Sequence, residues 1–78
     1  MQREAVESTT MKSVGYESKS QILEIEFQSG EVYQYLDVPE MVHEGLLRAE
    51  SKGQYFNGEI RDDYAFVRVG KKRRATSR

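Results

Sequence analysis

The chain has 78 residues, no cysteine, and a formal net charge of −1. A chain of this length forms one domain with a small core, which disfavours a deep catalytic cleft, and the lack of cysteine excludes disulfides and thiolate zinc sites. The charge is uneven, because residues 1–69 carry seven Lys or Arg against thirteen Asp or Glu, whereas residues 70–78 carry five basic residues and no acid. We therefore predict an acidic folded body followed by a basic tail.

The first residues, MQREAVESTT, contain no apolar run of the kind found in export signals. No apolar stretch elsewhere approaches the roughly 20 residues that cross a bilayer. We expect a soluble cytoplasmic protein without a membrane partner. Residues 1–11 mix charge with Ser and Thr without a sustained period, which indicates a flexible lead-in.

The clearest strand signal is QILEIEF, where apolar and acidic side chains alternate. Leu23, Ile25 and Phe27 fall on one face and Glu24 and Glu26 on the other, which predicts a half-buried strand with solvated glutamates. Upstream, KSVGYES is predicted as a short first strand. Downstream, QSGE forms a turn and VYQYL returns as the second arm of a hairpin.

Two registers are open for this hairpin. A two-residue turn sets Tyr33 and Tyr35 beside the glutamates and brings Gln34 to the apolar face. A three-residue loop with Gly30 in the left-handed region shifts the pairing by one residue, so that both tyrosines join the apolar face. We favour the second register because burial of an unpaired amide is costly. It predicts that at least one tyrosine is mostly buried.

Two helices are predicted after the hairpin. The Val-Pro pair at residues 38–39 ends the strand, and proline suits the start of a helix. In PEMVHEGLLRAE the apolar residues recur with helical spacing. Ser51 and Gln54 match a capping box for a second, shorter helix, and YAFVRV is interpreted as a further strand.

The predicted fold class is α+β, with a short antiparallel sheet of three or more strands and both helices packed on one face. The alternating strands need a cover, and the amphipathic helices need a surface to pack on. We expect the folded domain at residues 12–69. A mobile basic tail is expected at residues 70–78, because it has almost no apolar side chains to offset the entropy of ordering.

The chemistry-bearing residue types do not form an enzyme motif. His43 is the only histidine, and we interpret it as a solvated helix residue, since no nucleophile or orienting partner accompanies it. There is no phosphate-binding glycine loop and no paired metal-ligand spacing. We therefore predict no catalytic residue, no metal site and no cofactor.

Tyr33 and Tyr35 admit two roles. Aromatic rings on a sheet face hold single-stranded nucleic acid in several modules, whereas in a chain this short they also supply much of the core. We favour the core role. The tail adds four basic candidates for contact with nucleic acid or an anionic surface, although a solvated tail is equally consistent with the sequence. They are Lys71, Lys72, Arg73 and Arg74.

The order of several short motifs resembles the KTSC domain, a family named for its occurrence at the C-terminus of some lysyl-tRNA synthetases. The family also includes small stand-alone bacterial and phage proteins. The resemblance extends from about Lys12 to Val69. The motifs are Tyr33-Gln34-Tyr35 for the central Y-x-Y, then Val38-Pro39, Ser51-Lys52-Gly53, Tyr55-Phe56-Asn57, and Ile60-Arg61 with Tyr64.

The resemblance implies a non-catalytic accessory domain, and its synthetase context suggests RNA binding. Lys52, Asn57 and Arg61 are then the candidates to contact a phosphate or a base edge. Their structural alternative is equally open, since Asn57 can form a turn and Arg61 can pair with a neighbouring carboxylate. The alternative function is a protein-interaction module or a small phage-type inhibitor of a host protein, acting through a sheet edge or the tyrosine-rich surface. The oligomeric state is left open.

Overall fold

The computed structural model describes residues 3–71, with side chains described through Gly70. Within this range a five-stranded antiparallel sheet carries two α-helices and a π-helical turn, and the strands lie in chain order. The predicted α+β class is confirmed. The elements are β1 (Arg3–Ala5), β2 (Met11–Glu17), β3 (Ile22–Phe27), β4 (Glu31–Tyr35), α1 (Glu40–Arg48), α2 (Lys52–Tyr55), the π-helical turn (Phe56–Ile60) and β5 (Phe66–Lys71).

The β3–β4 hairpin adopts the three-residue loop. Tyr35 lies opposite Leu23 and Tyr33 lies opposite Ile25. Gly30 has a φ of 96°, a backbone conformation that glycine adopts without steric cost. The predicted register is therefore confirmed, and both tyrosines project from the apolar face of the sheet.

One face of the sheet is covered by the helical segment. Leu46 of α1 and Ile60 of the π-helical turn are fully buried with Leu23 and Ile25 of β3. This is the predicted arrangement, in which the amphipathic helices cover the apolar side of the alternating strands. The buried hydrophobic residues are Met11, Val14, Leu23, Ile25, Tyr35, Val38, Leu46, Phe56 and Ile60.

The two helices approach closely because α1 contains a glycine. A Cβ atom at Gly45 would overlap the hydroxyl group of Tyr55 in α2. Ser51 caps α2, since its Oγ accepts a hydrogen bond from the Gln54 N–H at 3.3 Å. The predicted cap is confirmed, and it places Phe56 at the start of the π-helical turn facing the sheet.

The opposite face of β3 differs from the prediction of solvated glutamates. Glu24 and Glu26 are only 9% and 8% exposed. Arg3 of β1 donates to Glu24 Oε2 at 2.6 Å and lies 3.7 Å from Glu26 Oε1. Ser13 Oγ donates to Glu26 at 3.0 Å, and Gln34 Nε2 donates to Glu24 at 2.8 Å. Both carboxylates are buried because the flanking strands cover them, and these donors replace water. We call these five residues the carboxylate cluster.

The sheet extends beyond the expected domain limits at both ends. β1 lies inside the segment expected as a flexible lead-in and pairs antiparallel with β2. β5 continues through Gly70 and Lys71, which were expected in the tail. Backbone pairing orders these segments, and composition does not reveal such pairing when the strand has as few as three residues.

Candidate functional site

Five aromatic rings line an open cleft of about 370 Å³ on the helix-covered face of the sheet. β4 contributes two tyrosines, β5 contributes Phe66 opposite Tyr35, and the remaining rings come from the end of β3 and from the π-helical turn. The centroid of Phe66 lies 5.2 Å from that of Tyr33 and 5.4 Å from that of Tyr35. These are ordinary distances for packed aromatic pairs. The rings of this aromatic cleft are Phe27, Tyr33, Tyr35, Phe56 and Phe66.

The rings differ in depth. Tyr35 is 4% exposed and forms the floor, whereas Phe66 is 50% exposed and forms the outer wall. Burial, and then the neighbouring Tyr33 hydroxyl, raise the pKa of Tyr35 to about 12, and the positive charge of Arg61 opposes this shift. The prediction that at least one of the two tyrosines is mostly buried is confirmed for Tyr35. Tyr33 is half-buried and faces the cleft.

Charged side chains surround these rings. Glu31, Arg61 and Asp62 also line the aromatic cleft. Arg68 of β5 lies opposite Tyr33, and its Nη2 atom is 3.7 Å from Glu31 Oε2. The side chains of this ion pair are 54% and 33% exposed, so the pair is weak and easily exchanged. The cleft therefore offers apolar ring faces beside both cations and carboxylates.

The three candidates from the family-like segment do not form one site. Arg61 lines the aromatic cleft, whereas Lys52 and Asn57 line a separate groove beside Thr10. Lys52 begins α2 and Arg61 follows the π-helical turn, so the two cations lie at opposite ends of the stretch formed by α2 and the π-helical turn. Lys52 Nζ also donates to the Ala49 carbonyl oxygen at 3.2 Å. Only Arg61 is brought together with Tyr33 and Tyr35.

Most of the basic candidates of the tail follow residue 71, the last residue that the structure describes. Lys72, Arg73 and Arg74 lie outside the described residues. Lys71 is the last residue of β5, where its backbone lies opposite Glu31. The basic run of the sequence therefore follows directly from the strand that carries Phe66 and Arg68. A binding role for these tail residues stays a prediction.

His43 is half-buried, whereas a solvated residue was predicted. Its ring stacks on Tyr16 with 4.8 Å between centroids and 11° between planes. Burial lowers the pKa of His43, while the carboxylates of Glu4, Glu40 and Glu44 act in the opposite direction. The sequence predicted a solvated histidine because helical spacing alone does not reveal the ring of Tyr16 on β2, against which His43 stacks.

Two further properties concern the part of the chain that the structure describes. Within residues 3–71, no three His, Cys, Asp or Glu side chains converge where a metal ion could bind. None of the helices in this range has the length and apolar character needed to span a bilayer.

Sequence reasoning did not assign Phe66 and Glu31 of the aromatic cleft, or the neighbouring Arg68, to a site. Phe66 and Arg68 were treated only as part of a closing strand, and Glu31 only as part of a turn. The alternation in YAFVRV holds the signal, since it sends Phe66 and Arg68 to one face and Val67 to the other. Phe66 and Arg68 contact β4 because β5 pairs with β4, although the whole helical segment lies between these two strands in the sequence. Alternation within one strand does not specify which strand it pairs with.

These features define a class of small α+β domain, in which a five-stranded antiparallel sheet carries a short helical segment on one face and an aromatic cleft near one edge strand. The model of the KTSC domain family matches residues 7–64, most of the chain. The chain belongs to the KTSC domain family. The match begins and ends about five residues earlier than the resemblance seen in the sequence.

Relatives support the assignment. A crystal structure of a KTSC domain protein from Yersinia pestis superimposes with a TM-score of 0.86 and 39% identity, covering 88% of this chain and 97% of that one. An uncharacterized protein of Stutzerimonas stutzeri is 47% identical over 57 residues, which are 73% of this chain and 80% of that protein. A lysine–tRNA ligase of Nostoc punctiforme is 48% identical over 63 residues, which are 81% of this chain and 11% of the ligase. The chain thus corresponds to a small part of that enzyme.

Proposed function

We propose that this chain is a non-catalytic accessory module that binds single-stranded RNA in the aromatic cleft. One observation carries the proposal. A half-exposed phenylalanine and a half-buried tyrosine lie 5.2 Å apart beside two arginines, at the edge strand from which the basic run continues. Stacking platforms beside cationic groups are the usual means of holding unpaired bases.

The aromatic rings are suited to stack on a base. Phe66 exposes half of its surface although a small domain gains by burying large apolar side chains. Tyr35 and Phe56 support the outer rings from below, with ring centroids 5.5 Å apart in an edge-to-face contact. A base that stacks on Phe66 and Tyr33 buries apolar area on a surface that the fold already holds in place.

The arginines are suited to contact phosphate. Arg61 is exposed and lines the cleft, and Arg68 is paired only with the partly exposed Glu31. A guanidinium group forms bidentate hydrogen bonds with phosphate, so either arginine can exchange a carboxylate or water for a backbone phosphate. The Nostoc punctiforme relative is named for a reaction on tRNA, which supports RNA as the ligand class.

The test is binding of a fluorescein-labelled single-stranded RNA, measured by fluorescence anisotropy across a salt series from about 50 to about 200 mM. We expect Phe66→Ala to weaken binding about 5-fold to 150-fold, the range typical for loss of one base stack. Arg61→Ala should weaken binding and reduce the slope of log K against log salt by about one phosphate contact.

Matched controls distinguish the cleft from a general effect of the fold or charge. Val67→Ala changes a side chain of similar exposure on the other face of β5, and Arg48→Ala removes an exposed cation at the end of α1. Both variants should bind RNA like the parent. Equal binding by Phe66→Ala, Arg61→Ala and the parent would place the RNA elsewhere, and no retention of RNA by the parent at low salt would reject the proposed function.

A second candidate is a protein-interaction module, and β5 favours it. β5 is an edge strand on which Val67, on the face away from the helices, is 46% exposed, and Val69, at a β-bulge, is 48% exposed. An exposed apolar edge can accept a strand from another protein. Val67→Lys with Val69→Lys separates the two candidates, because the added charges should block strand addition without weakening RNA binding in the aromatic cleft.

A further inference from the structure

A carboxylate stands inside a cleft that we propose for a polyanion. Glu31, Tyr33 and Tyr35 project from the same face of β4, and Glu31 lines the aromatic cleft beside the rings. Its side chain is 33% exposed. A negative charge at this position repels phosphate, so it weakens any RNA site that depends on backbone contacts alone.

The same carboxylate is suited to contact a base edge. An ionised carboxylate only accepts hydrogen bonds, and its two oxygens accept from two adjacent donors. On the Watson–Crick edge, guanine presents two adjacent donors, N1–H and the N2 amino group. Adenine and cytosine each present an amino group beside an acceptor nitrogen, and uracil presents one N–H between two acceptor oxygens. A bidentate contact to this carboxylate is therefore available to guanine and not to the other three bases.

The present partner of Glu31 does not prevent this contact. Arg68 Nη2 lies 3.7 Å from Glu31 Oε2, beyond a short hydrogen bond, and the Arg68 side chain is 54% exposed. Exposed pairs of this kind contribute little to stability. When a nucleotide binds, the Arg68 guanidinium can contact its phosphate while the Glu31 carboxylate accepts hydrogen bonds from the base. Each charged group then has a new partner in place of the other.

Asp62 is the other carboxylate of the cleft. It is exposed and lies in the turn that follows the π-helical turn, whereas Glu31 is paired with Lys71 in the β4–β5 ladder. A residue on a paired strand holds its side chain in a more defined position than one on an exposed turn. Glu31 is therefore better placed than Asp62 to discriminate between bases.

We propose that the aromatic cleft selects guanine, with Glu31 as the residue that determines the specificity by accepting from N1–H and the N2 amino group. The proposal rests on the RNA-binding function proposed above. The cleft volume of about 370 Å³ lies near the lower end for small-molecule pockets, which suits one nucleotide. Phe66 and Tyr33 stack on the base, and the arginines contact its phosphate.

The test uses oligouridines of equal length in which one central residue is uridine, adenosine, guanosine or inosine. Inosine keeps N1–H and the shape of guanine but lacks the N2 amino group, so it isolates the second hydrogen bond. The parent should bind the guanosine oligonucleotide about tenfold more tightly than the uridine one, and the inosine oligonucleotide should fall between them. Anisotropy titrations at one fixed salt concentration give the four dissociation constants.

Glu31→Gln tests the assigned residue, because the amide keeps the shape but replaces one acceptor with a donor. It should bring the dissociation constants for guanosine and inosine together, whereas Glu44→Gln, at an exposed position on α1, should leave the preference unchanged. Circular dichroism establishes that each variant is folded.

The outcomes separate this inference from the function on which it rests. Binding of all four oligonucleotides with equal affinity overturns guanine selection and leaves the RNA-binding function standing. Loss of the preference in Asp62→Asn, but not in Glu31→Gln, overturns the assignment to Glu31. Failure to bind any of the four at low salt rejects both proposals.

Discussion

The two faces of β3 are both buried, but by different chemistry. On the helix-covered face, Leu23 and Ile25 are fully buried among apolar side chains. On the other face, Glu24 and Glu26 are nearly as inaccessible, yet each accepts a hydrogen bond from a side chain of an adjacent strand, and Glu24 also accepts one from Arg3 of β1. The apolar face gains stability by removal from water, whereas the polar face remains stable only while its donors replace water.

This difference shows why central strands are misjudged from alternation. A period of two separates the faces correctly, but it does not say how each face is covered. Here the short edge strand β1 brings Arg3 across β2 to the glutamates of β3.

The largest effect should come from truncating the buried tyrosine of the apolar face. Tyr35→Ala removes a ring that is 4% exposed and contacts Phe56 and Phe66, so it should lower the free energy of unfolding by about 3–5 kcal/mol. Tyr33→Ala should cost less because that ring is half-buried. Urea denaturation followed by circular dichroism measures both. The control is Val67→Ala on the opposite face, and a Tyr35→Ala variant as stable as this control would contradict the assignment of Tyr35 to the core.

The hydroxyl of Tyr35 should make this face sensitive to alkali. Its pKa in the folded protein is about 12, above the ordinary value of 10.0, so the folded state favours the neutral phenol. Stability is therefore complete below pH 10 and is lost as the pH rises toward 12, by about 2–3 kcal/mol for such a difference in pKa.

Unfolding midpoints measured between pH 9 and 12 on the parent and Tyr35→Phe test this expectation, since ionisation is impossible in the variant. Tyr16 and Tyr55 also have raised pKa values, because burial disfavours their ionised forms, and they contribute to the loss in both proteins. The difference between the two curves therefore isolates Tyr35. Tyr64→Phe serves as a control, and coincident curves for the parent and Tyr35→Phe would refute the prediction.

On the polar face, Arg3→Ala should destabilise the carboxylate cluster. Arg3 donates to Glu24 at 2.6 Å and lies 3.7 Å from Glu26, so its loss leaves two buried carboxylates short of a cationic donor. We expect a decrease of about 1.5–3 kcal/mol in the free energy of unfolding, the range for a hydrogen bond to a charged group. Urea denaturation provides the measurement.

Two comparisons make this prediction specific. Arg48→Ala removes an exposed arginine with no cluster to support and should change stability little. Combining Arg3→Ala with Glu24→Gln and Glu26→Gln should cost less than the sum of the separate changes, because the amides carry no charge that needs Arg3. Strict additivity would mean that the cluster does not act as a unit.

The smallest effect should come from His43 at the rim of the helix-covered face. Burial lowers its pKa below the ordinary 6.5, despite the carboxylates of Glu4, Glu40 and Glu44, so the folded state favours the neutral ring. The unfolded chain then binds more protons, and stability falls as the pH drops below 6.5. His43→Gln should lose less stability than the parent between about pH 7 and pH 5. An equal loss in both proteins would show that burial does not lower the pKa of His43 in the folded state.

Much of the fold could be predicted because its signals are local. The strand register depends on Gly30 and on keeping Gln34 off the apolar face, and both are readable within ten residues. The cap at Ser51 needs only the residue three positions later. The aromatic cleft could be predicted only in part, because Tyr33 and Arg61 stand in local motifs, whereas Phe66 and Arg68 meet Tyr33 only through the β4–β5 pairing.

Local sequence signals specify the order of the elements from β2 to β5, the buried face of the hairpin and the family, because these follow from side-chain period, backbone preference and motif order within short windows. The tertiary structure alone shows which polar side chains lie in contact or line the same cleft. It places Lys52 and Arg61 at different clefts, at opposite ends of the stretch formed by α2 and the π-helical turn, and it brings Arg3 to glutamates more than twenty residues away. The physical reason is that burial and charge pairing depend on distances across strands, which are set when the sheet assembles and leave no period in the chain.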